Sequence, residues 1–131
     1  MKVDRNILRA DLQRRAQIIW AELCEIQPRL CAFDCPQITL NGRMWRTAGQ
    51  CFQDARRITI SPKFYDAGFG VRMNAVILPH ELIHQADFDL FGDSDKKCGH
   101  GKNWCNLMLQ YGLEADSHHS MNITQQGVKI D

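Results

Sequence analysis

Apolar side chains recur at roughly helical spacing over the first 26 residues of the chain, and charged side chains fill the positions between them. The apolar stripe consists of Ile7, Leu8, Leu12, Ile19, Leu23 and Ile26. Asp4 has the side chain of a helix N-cap, and Pro28 cannot continue a helix. The pattern therefore predicts an amphipathic helix that starts at Asp4, ends before Pro28 and covers one face of a sheet.

Three short segments with alternating apolar and polar side chains follow this helix and predict strands. The predicted strands are residues 36–41, 45–52 and 57–61. Asn41-Gly42 is typical of a two-residue hairpin turn, and Gln53-Asp54 indicates a second turn. Because both connections are turns, we expect a three-stranded antiparallel sheet.

The second predicted strand leaves an edge of this sheet near residues 47–51. Ala48 and Gly49 are small enough for the backbone of an extended peptide to approach and pair with that edge. A glycine that only eases a twist or a bulge explains Gly49 equally well. The sequence leaves both interpretations open.

The second half of the chain predicts two further helices, the first of which begins near residue 73 and is largely buried. Its apolar residues are Ala75, Val76, Ile77, Leu78, Leu82 and Ile83. Pro79 lies inside it and cannot donate to the carbonyl of Ala75, so we predict a bend there. The last helix is predicted over residues 102–111, with Gly112 as its C-terminal stop.

The buried helix carries the sequence His80-Glu81-Leu82-Ile83-His84. Because a helix has about 3.6 residues per turn, both imidazoles lie on one face, where a single zinc ion can take both. Glu81 projects from nearly the same edge and can act as the base for a water molecule in an open coordination position. The spacing therefore predicts the zinc site of a metalloprotease, with Glu81 as the catalytic residue.

A catalytic zinc ion requires a third protein ligand, and His100 is the best candidate. It lies between two glycines that allow a tight turn, immediately before the last predicted helix. Glu114 is the second choice, since a carboxylate from a downstream helix also serves in such sites. The remaining alternatives are Asp87, Asp89 and a histidine of the tail, His118 or His119.

Cysteine usage suggests reduced thiols, because the six cysteines are irregularly spaced in a chain long enough for a full core. Cys98 is two residues from His100, and as a fourth ligand it would close the site and make the zinc structural. Cys31 and Cys35 resemble half of a zinc site, but no second half with suitable spacing follows.

The net charge of +1 conceals an uneven distribution of charge along the chain. Residues 1–72 hold twelve Lys and Arg against seven acids, whereas residues 73–131 hold four against eight. The excess of basic residues in the first half of the chain is typical of a protein that binds a polyanion on one surface. An ordinary solvated surface explains this distribution equally well. No stretch approaches about eighteen apolar residues, and no signal peptide is recognisable, so we expect a cytoplasmic, monomeric protein without membrane contact.

Four arginines crowd the two predicted turns, and two aromatic side chains lie close to them. The arginines are Arg43, Arg46, Arg56 and Arg57. Cationic side chains interleaved with Trp45 and Phe52 can hold phosphates and stack bases, so we predict the DNA-contact region here. Trp45 is equally typical of a strand residue that packs in the core.

The two motifs are His-Glu-x-x-His at 80–84 and Gly-His-Gly-x-x-Trp at 99–104. They are preceded by a basic segment that contains Gly42-Arg43 and Arg-Thr-Ala-Gly-Gln-Cys at 46–51. Together these sequences resemble the SprT-like metalloprotease family, which includes the Spartan proteases. The likeness runs from about residue 7 to His119. It implies a single zincin-like α+β domain over residues 1–131, in which His80, His84 and His100 bind zinc and Glu81 is the catalytic acid.

The resemblance also implies a function, since characterised members cut proteins that are bound or crosslinked to DNA, and DNA activates them. This chain departs from many bacterial members because no paired cysteines after His100 supply a C-terminal zinc ribbon. The alternatives are a general cytosolic peptidase without DNA dependence and a nucleic-acid-associated binding module with a structural zinc. For the enzyme, the candidate oxyanion donors are Tyr65, Tyr111, His118 and His119.

Overall fold

The computed structural model describes residues 2–92, 100–115 and 119–126, which form helices and one three-stranded sheet. The first half comprises helix α1 (Arg5–Ile26), a 3-10 helix (Pro28–Ala32) and strands β1 (Gln37–Leu40), β2 (Gly49–Phe52) and β3 (Arg57–Ile60). The second half comprises helices α2 (Lys63–Asp66) and α3 (Gly70–Arg72), a π-helical turn (Met73–Ile77), and helices α4 (Leu78–Phe91) and α5 (Lys102–Tyr111). The α+β class is confirmed. Within the described ranges, the helices lack the length or the apolar run that a bilayer span requires.

Helix α1 begins and ends where its sequence predicts. The carboxylate of Asp4 caps it by accepting a hydrogen bond of 2.9 Å from the N–H of Ile7. The buried face consists of Leu8, Leu12, Ala16, Ile19, Trp20 and Leu23. Ile7 is 70% exposed and Ile26 is 36% exposed, so their predicted place in the buried stripe is wrong. Trp20 shares this face because its indole N–H reaches the carbonyl of Phe33 at 3.0 Å.

The predicted hairpin between β1 and β2 is wrong, because these two strands do not pair with each other. The strand order is β1-β3-β2, with β1 parallel to β3 and β2 antiparallel to β3. The residues after Asn41-Gly42 form a loop that crosses the end of β3. In this loop the carbonyl of Met44 accepts a bond from the Ser61 hydroxyl at 2.6 Å. The sheet is therefore mixed rather than antiparallel, and β2 starts at Gly49 instead of residue 45.

Burial explains why β3 takes the central position. Three of its four residues, Ile58, Thr59 and Ile60, are buried, whereas β1 and β2 each carry exposed side chains. A strand with buried side chains gains most by having neighbours on both edges. The turn after β2 is confirmed, since β2 and β3 form an antiparallel hairpin. β2 consequently occupies an edge of the sheet, as predicted.

The helix that carries His80 and His84 is interrupted by a π-helical turn rather than simply bent. The N–H of Leu78 donates to the carbonyl of Met73, five residues back, where α4 takes over from the π-helical turn. Pro79 then falls in the first turn of α4, where a missing N–H is tolerated. The proline therefore changes the hydrogen-bonding register just before the histidines.

Helix α4 lies at the centre of the packing. It contacts α1, α5, β2 and β3, and α1 also contacts β1. Helix α5 spans the predicted residues and ends at Gly112, whose φ of 99° is the left-handed conformation of a helix C-cap. Trp104, Leu107 and Met108 form its buried face. Every residue of α4 from Leu78 to Asp87 is buried, so the polar side chains of this segment need partners within the protein.

An ion pair joins the far end of α4 to the β2–β3 turn. The guanidinium of Arg56 donates to both carboxylate oxygens of Asp89, at 2.7 and 3.0 Å, and also to the carbonyl of Asp34. Arg56 has a φ of 52°, a conformation that costs a non-glycine residue about 1–2 kcal/mol. The Asp89 side chain is only 2% exposed, so its charge depends on this partner. Arg56 therefore has a structural role in the turn.

We predict that Arg56→Ala destabilises the fold by about 2–3 kcal/mol, because it leaves the buried Asp89 carboxylate without its cation. Arg57→Ala is the matched control, since Arg57 is exposed and should change the free energy of unfolding by no more than about 0.5 kcal/mol. Urea unfolding of the two variants measures the difference. Equal stability of the two would contradict the structural role of Arg56.

Candidate metal centre

His80 and His84 lie on one face of α4, as their spacing predicts. Both side chains are buried, and their ring centroids are 4.9 Å apart. The Nε2 atoms are separated by 3.2 Å. Leu82 and Ile83, which lie between the two histidines on α4, are fully buried and hold the helix in place. The two imidazoles therefore converge through the same ring nitrogen.

His100 joins them from the segment that leads into α5. Its Nε2 lies 2.9 Å from Nε2 of His84 and 3.3 Å from Nε2 of His80. Gly101 forms the extended N-cap of α5, so the chain turns immediately after the histidine. Three ring nitrogens from two segments thus form a nearly equilateral triangle.

The triangle has the dimensions of a metal site. A tetrahedral ion with metal–nitrogen distances of about 2.0–2.1 Å separates its nitrogen ligands by roughly 3.3 Å. The three observed separations, 2.9, 3.2 and 3.3 Å, lie close to that value. Among the residues that the structure describes, these histidines form the group of potential ligands whose atoms all lie within 4.8 Å of one another. They fit a metal ion.

The other predicted ligands lie apart from this group. Glu114 is exposed, and Asp89 is paired with Arg56. Asp87 is buried on α4 but does not belong to the triangle. His119 contacts Arg46 and Phe64 instead. Cys98 and His118 lie outside the described residues, so their predicted roles stay predictions.

Trp104 forms the wall behind the three histidines, a role that the sequence analysis missed. Its indole stacks on His84, with a centroid separation of 5.1 Å and an interplanar angle of 18°. Its centroid lies 4.9 Å from that of His80 and 4.6 Å from that of His100, both edge-on. The signal was present in the Gly-His-Gly-x-x-Trp motif, where the tryptophan lies four residues after the histidine. The indole fixes the ring orientations from one side.

Glu81 lies beside the triangle and is itself buried. One carboxylate oxygen is 3.8 Å from Nε2 of His80. Burial raises the pKa of Glu81 to about 8, and the charge of a bound cation would lower it again. Without a cation, the buried Glu81 carboxyl group therefore binds a proton more readily than an exposed one, next to the place where a metal would bind.

Gln85 occupies the next turn of α4 and connects the helix to strand β2. Its amide oxygen accepts from the thiol of Cys51 at 3.7 Å, and its amide nitrogen donates to the carbonyl of Gln53 at 3.2 Å. The same nitrogen also donates to Asp89 at 3.0 Å. The sequence does not single out this residue, because a single glutamine carries no motif. Its bonds hold the metal helix against the edge strand.

The predicted oxyanion donors make their observed hydrogen bonds with other residues. The Tyr65 hydroxyl donates to Asn74 at 2.8 Å, and burial raises the pKa of Tyr65. The Tyr111 hydroxyl donates to Glu22 at 2.7 Å, and burial, then this bond, raises the pKa of Tyr111. The His119 ring bonds to the carbonyl of Arg46 and the N–H of Met121, both at 3.2 Å. The oxyanion role of these residues stays a prediction.

The predicted DNA-contact arginines do not share one environment. Arg43 and Arg46 are exposed in the loop before β2, and the Arg46 guanidinium lies 4.6 Å from the centroid of the half-buried Trp45 ring. Arg57 is exposed beside Phe52, at 4.7 Å from its ring centroid. Arg56 is held by Asp89 and differs from the other three. Arg43, Arg46 and Arg57 therefore remain available to a partner.

The described cysteines give no second metal site. Cys24, Cys31, Cys35, Cys51 and Cys105 are free thiols. Cys31 is exposed and Cys35 is half-buried, and neither belongs to a ligand group in the part of the chain that the structure describes.

Comparison with known proteins identifies the family. A search of curated proteins and a search of solved structures return no significant match. The family profile described as "SprT-like family" matches residues 21–126, which is most of the chain and includes all three histidines and Glu81. The resemblance drawn from the two motifs is therefore confirmed, and the chain belongs to the SprT-like family.

Proposed function

We propose that this protein is a zinc-dependent endopeptidase. The observation that carries the proposal is the triangle of Nε2 atoms from His80, His84 and His100, with the buried Glu81 carboxylate beside it. Three imidazole ligands are a set that catalytic zinc sites use, with the fourth position left for water or substrate. Membership of the SprT-like family supports the same function.

Zinc held by these histidines would polarise the scissile carbonyl and lower the pKa of a bound water molecule. Glu81 takes a proton from that water and passes it to the amine that leaves when the peptide bond breaks. Its buried position supports this role, because a desolvated carboxyl group binds a proton more readily than one in water. Trp104 keeps the histidine rings oriented from behind.

The edge strand β2 is our proposed binding place for the substrate backbone. β2 packs against helix α4, and it pairs with β3 along one of its two edges. Its other edge forms the border of the sheet. An extended peptide can add to such an edge through main-chain hydrogen bonds. Because β2 contacts the helix that carries Glu81, a peptide on this edge would lie close to the triangle.

We further propose that the substrates are proteins bound or crosslinked to DNA. Support comes from the exposed Arg43, Arg46 and Arg57, which lie before and after β2 beside Trp45 and Phe52. Guanidinium groups contact phosphates, and the aromatic rings suit the stacking of unpaired bases. A peptidase without DNA dependence is the alternative, and it makes no use of these three cations.

We predict that the purified protein binds one zinc ion and that His100→Ala weakens this binding by more than about 100-fold. His119→Ala is the matched control, because its ring lies against Phe64 and outside the triangle. Metal analysis after dialysis against a competing chelator measures both. Retention of zinc by His100→Ala would contradict the assignment of the third ligand.

We predict that Glu81→Gln lowers kcat by about 10²–10⁴-fold, because the amide preserves the shape but cannot accept a proton. The variant should keep its zinc and its unfolding temperature. Glu114→Gln removes an exposed carboxylate instead and should keep full activity. Cleavage of an unfolded protein substrate in the presence of DNA measures the rates. Undiminished cleavage by Glu81→Gln would rule out this mechanism.

We predict that removing Arg43, Arg46 and Arg57 together reduces the salt dependence of DNA binding by a slope of about 2–3, one contact per arginine. Zinc content should not change. A variant of Lys2, Arg9 and Arg72 removes the same charge from other exposed positions and controls for net charge. Binding and cleavage of a DNA-bound protein are measured over a salt series. Equal losses in both variants would favour non-specific attraction and the DNA-independent peptidase.

A further inference from the structure

We propose that Gly49 is a positioning residue for Glu81. The absence of a side chain at this position of β2 lets the Glu81 side chain lie where its carboxylate faces the histidine triangle. The inference rests on the proposed function, because the position of this carboxylate matters to catalysis only if Glu81 transfers protons.

The space beside Gly49 is filled by three side chains from three elements. A Cβ atom at Gly49 would lie 3.0 Å from Cγ of Glu81, 3.1 Å from Cδ1 of Ile60 and 3.2 Å from Cγ2 of Ile77. Non-bonded carbon atoms normally rest about 3.5–4.0 Å apart. An added methyl group would therefore overlap all three neighbours at once.

The backbone gives no other reason for a glycine here. Gly49 is not among the glycines with positive φ, and it pairs with Ile60 in the regular antiparallel register of β2 and β3. The interpretation that this glycine only eases a bulge therefore loses its support. Packing against Glu81 and the two isoleucines is the reason that the structure shows, and room for a substrate backbone is the alternative that the kinetics below distinguish.

Glu81 is the neighbour that an added methyl group would displace. Ile60 and Ile77 pack in the apolar core, where their movement would disturb the apolar side chains around them, and Glu81 is as buried as Ile77, at 7% exposed. The contact atom of Glu81 is Cγ, in the middle of a flexible side chain whose outer end lies beside the triangle. A methyl group at position 49 would therefore rotate the carboxylate away from its place.

Contacts between β2 and α4 oppose a shift of the strand along the helix that would relieve the overlap. Cys51, two residues after Gly49, contacts Gln85, four residues after Glu81. Two residues of strand span about 6.6 Å, and four residues of helix span about 6 Å. Gly49 therefore lies opposite Glu81 when Cys51 lies opposite Gln85. The contact at Gln85 thus holds Gly49 opposite Glu81.

Kinetics test the proposal with Gly49→Ala in the zinc-loaded protein. A displacement of about 1 Å in a catalytic group costs up to about 100-fold in rate, and the overlaps here require shifts of only a few tenths of an ångström, so we expect kcat to fall by up to about 10-fold, with KM within about 2-fold of the wild type. Gly42→Ala is the matched control, since no atom lies within 4 Å of its added Cβ. A raised KM with unchanged kcat would overturn the proposal, because it would mean that Gly49 only makes room for the substrate.

Urea unfolding of the zinc-loaded variants, at one fixed zinc concentration, tests the same contact without activity. Gly49→Ala should lower the unfolding midpoint in the wild-type and Glu81→Gln backgrounds, both of which keep Cγ at position 81. It should lower the midpoint much less in the Glu81→Ala background, because that substitution removes Cγ. Equal losses in all three backgrounds would overturn the proposal, since the two isoleucines would then account for the whole effect.

These two experiments separate the inference from the proposed function. If the wild-type protein shows no proteolysis that depends on Glu81, the proposed function fails. The unfolding comparison would still decide whether Gly49 sets the position of the Glu81 side chain.

Discussion

The structure depends on burying a helix that carries polar side chains. Every residue of α4 from Leu78 to Asp87 is buried, and five of these residues, His80, Glu81, His84, Gln85 and Asp87, are polar. A buried polar group without a partner destabilises the fold, and the free energy of unfolding of a domain of this size is small. The surrounding elements therefore supply partners: the imidazoles meet His100 and Trp104, and the amide of Gln85 meets β2.

This constraint links the fold to the chemistry. The burial that makes unpaired imidazoles costly also brings three of them together at the spacing a metal requires. The same burial removes Glu81 from bulk solvent and raises its affinity for a proton. Strand β2 lies along this helix and at the edge of the sheet, so the strand that packs against Glu81 is also the one on which we propose that a peptide binds.

The sequence predicted the features that depend on local patterns. The cap at Asp4, the end of α5 at Gly112 and the face shared by His80 and His84 follow from side chains a few residues apart. Strand order did not follow, because the pairing of β1 with β3 joins segments separated by all of β2. The ion pair of Arg56 did not follow for a similar reason: its partner Asp89 lies 33 residues away, and a cluster of charges in the sequence does not reveal that contact.

We propose that three histidines hold a zinc ion whose remaining position serves catalysis. X-ray absorption at the zinc edge of the zinc-loaded protein tests it most directly. We expect three nitrogen ligands and one oxygen ligand, all at about 2.0–2.1 Å. A sulfur ligand at about 2.3 Å would contradict the claim, because a thiolate in the fourth position closes the site and makes the zinc structural.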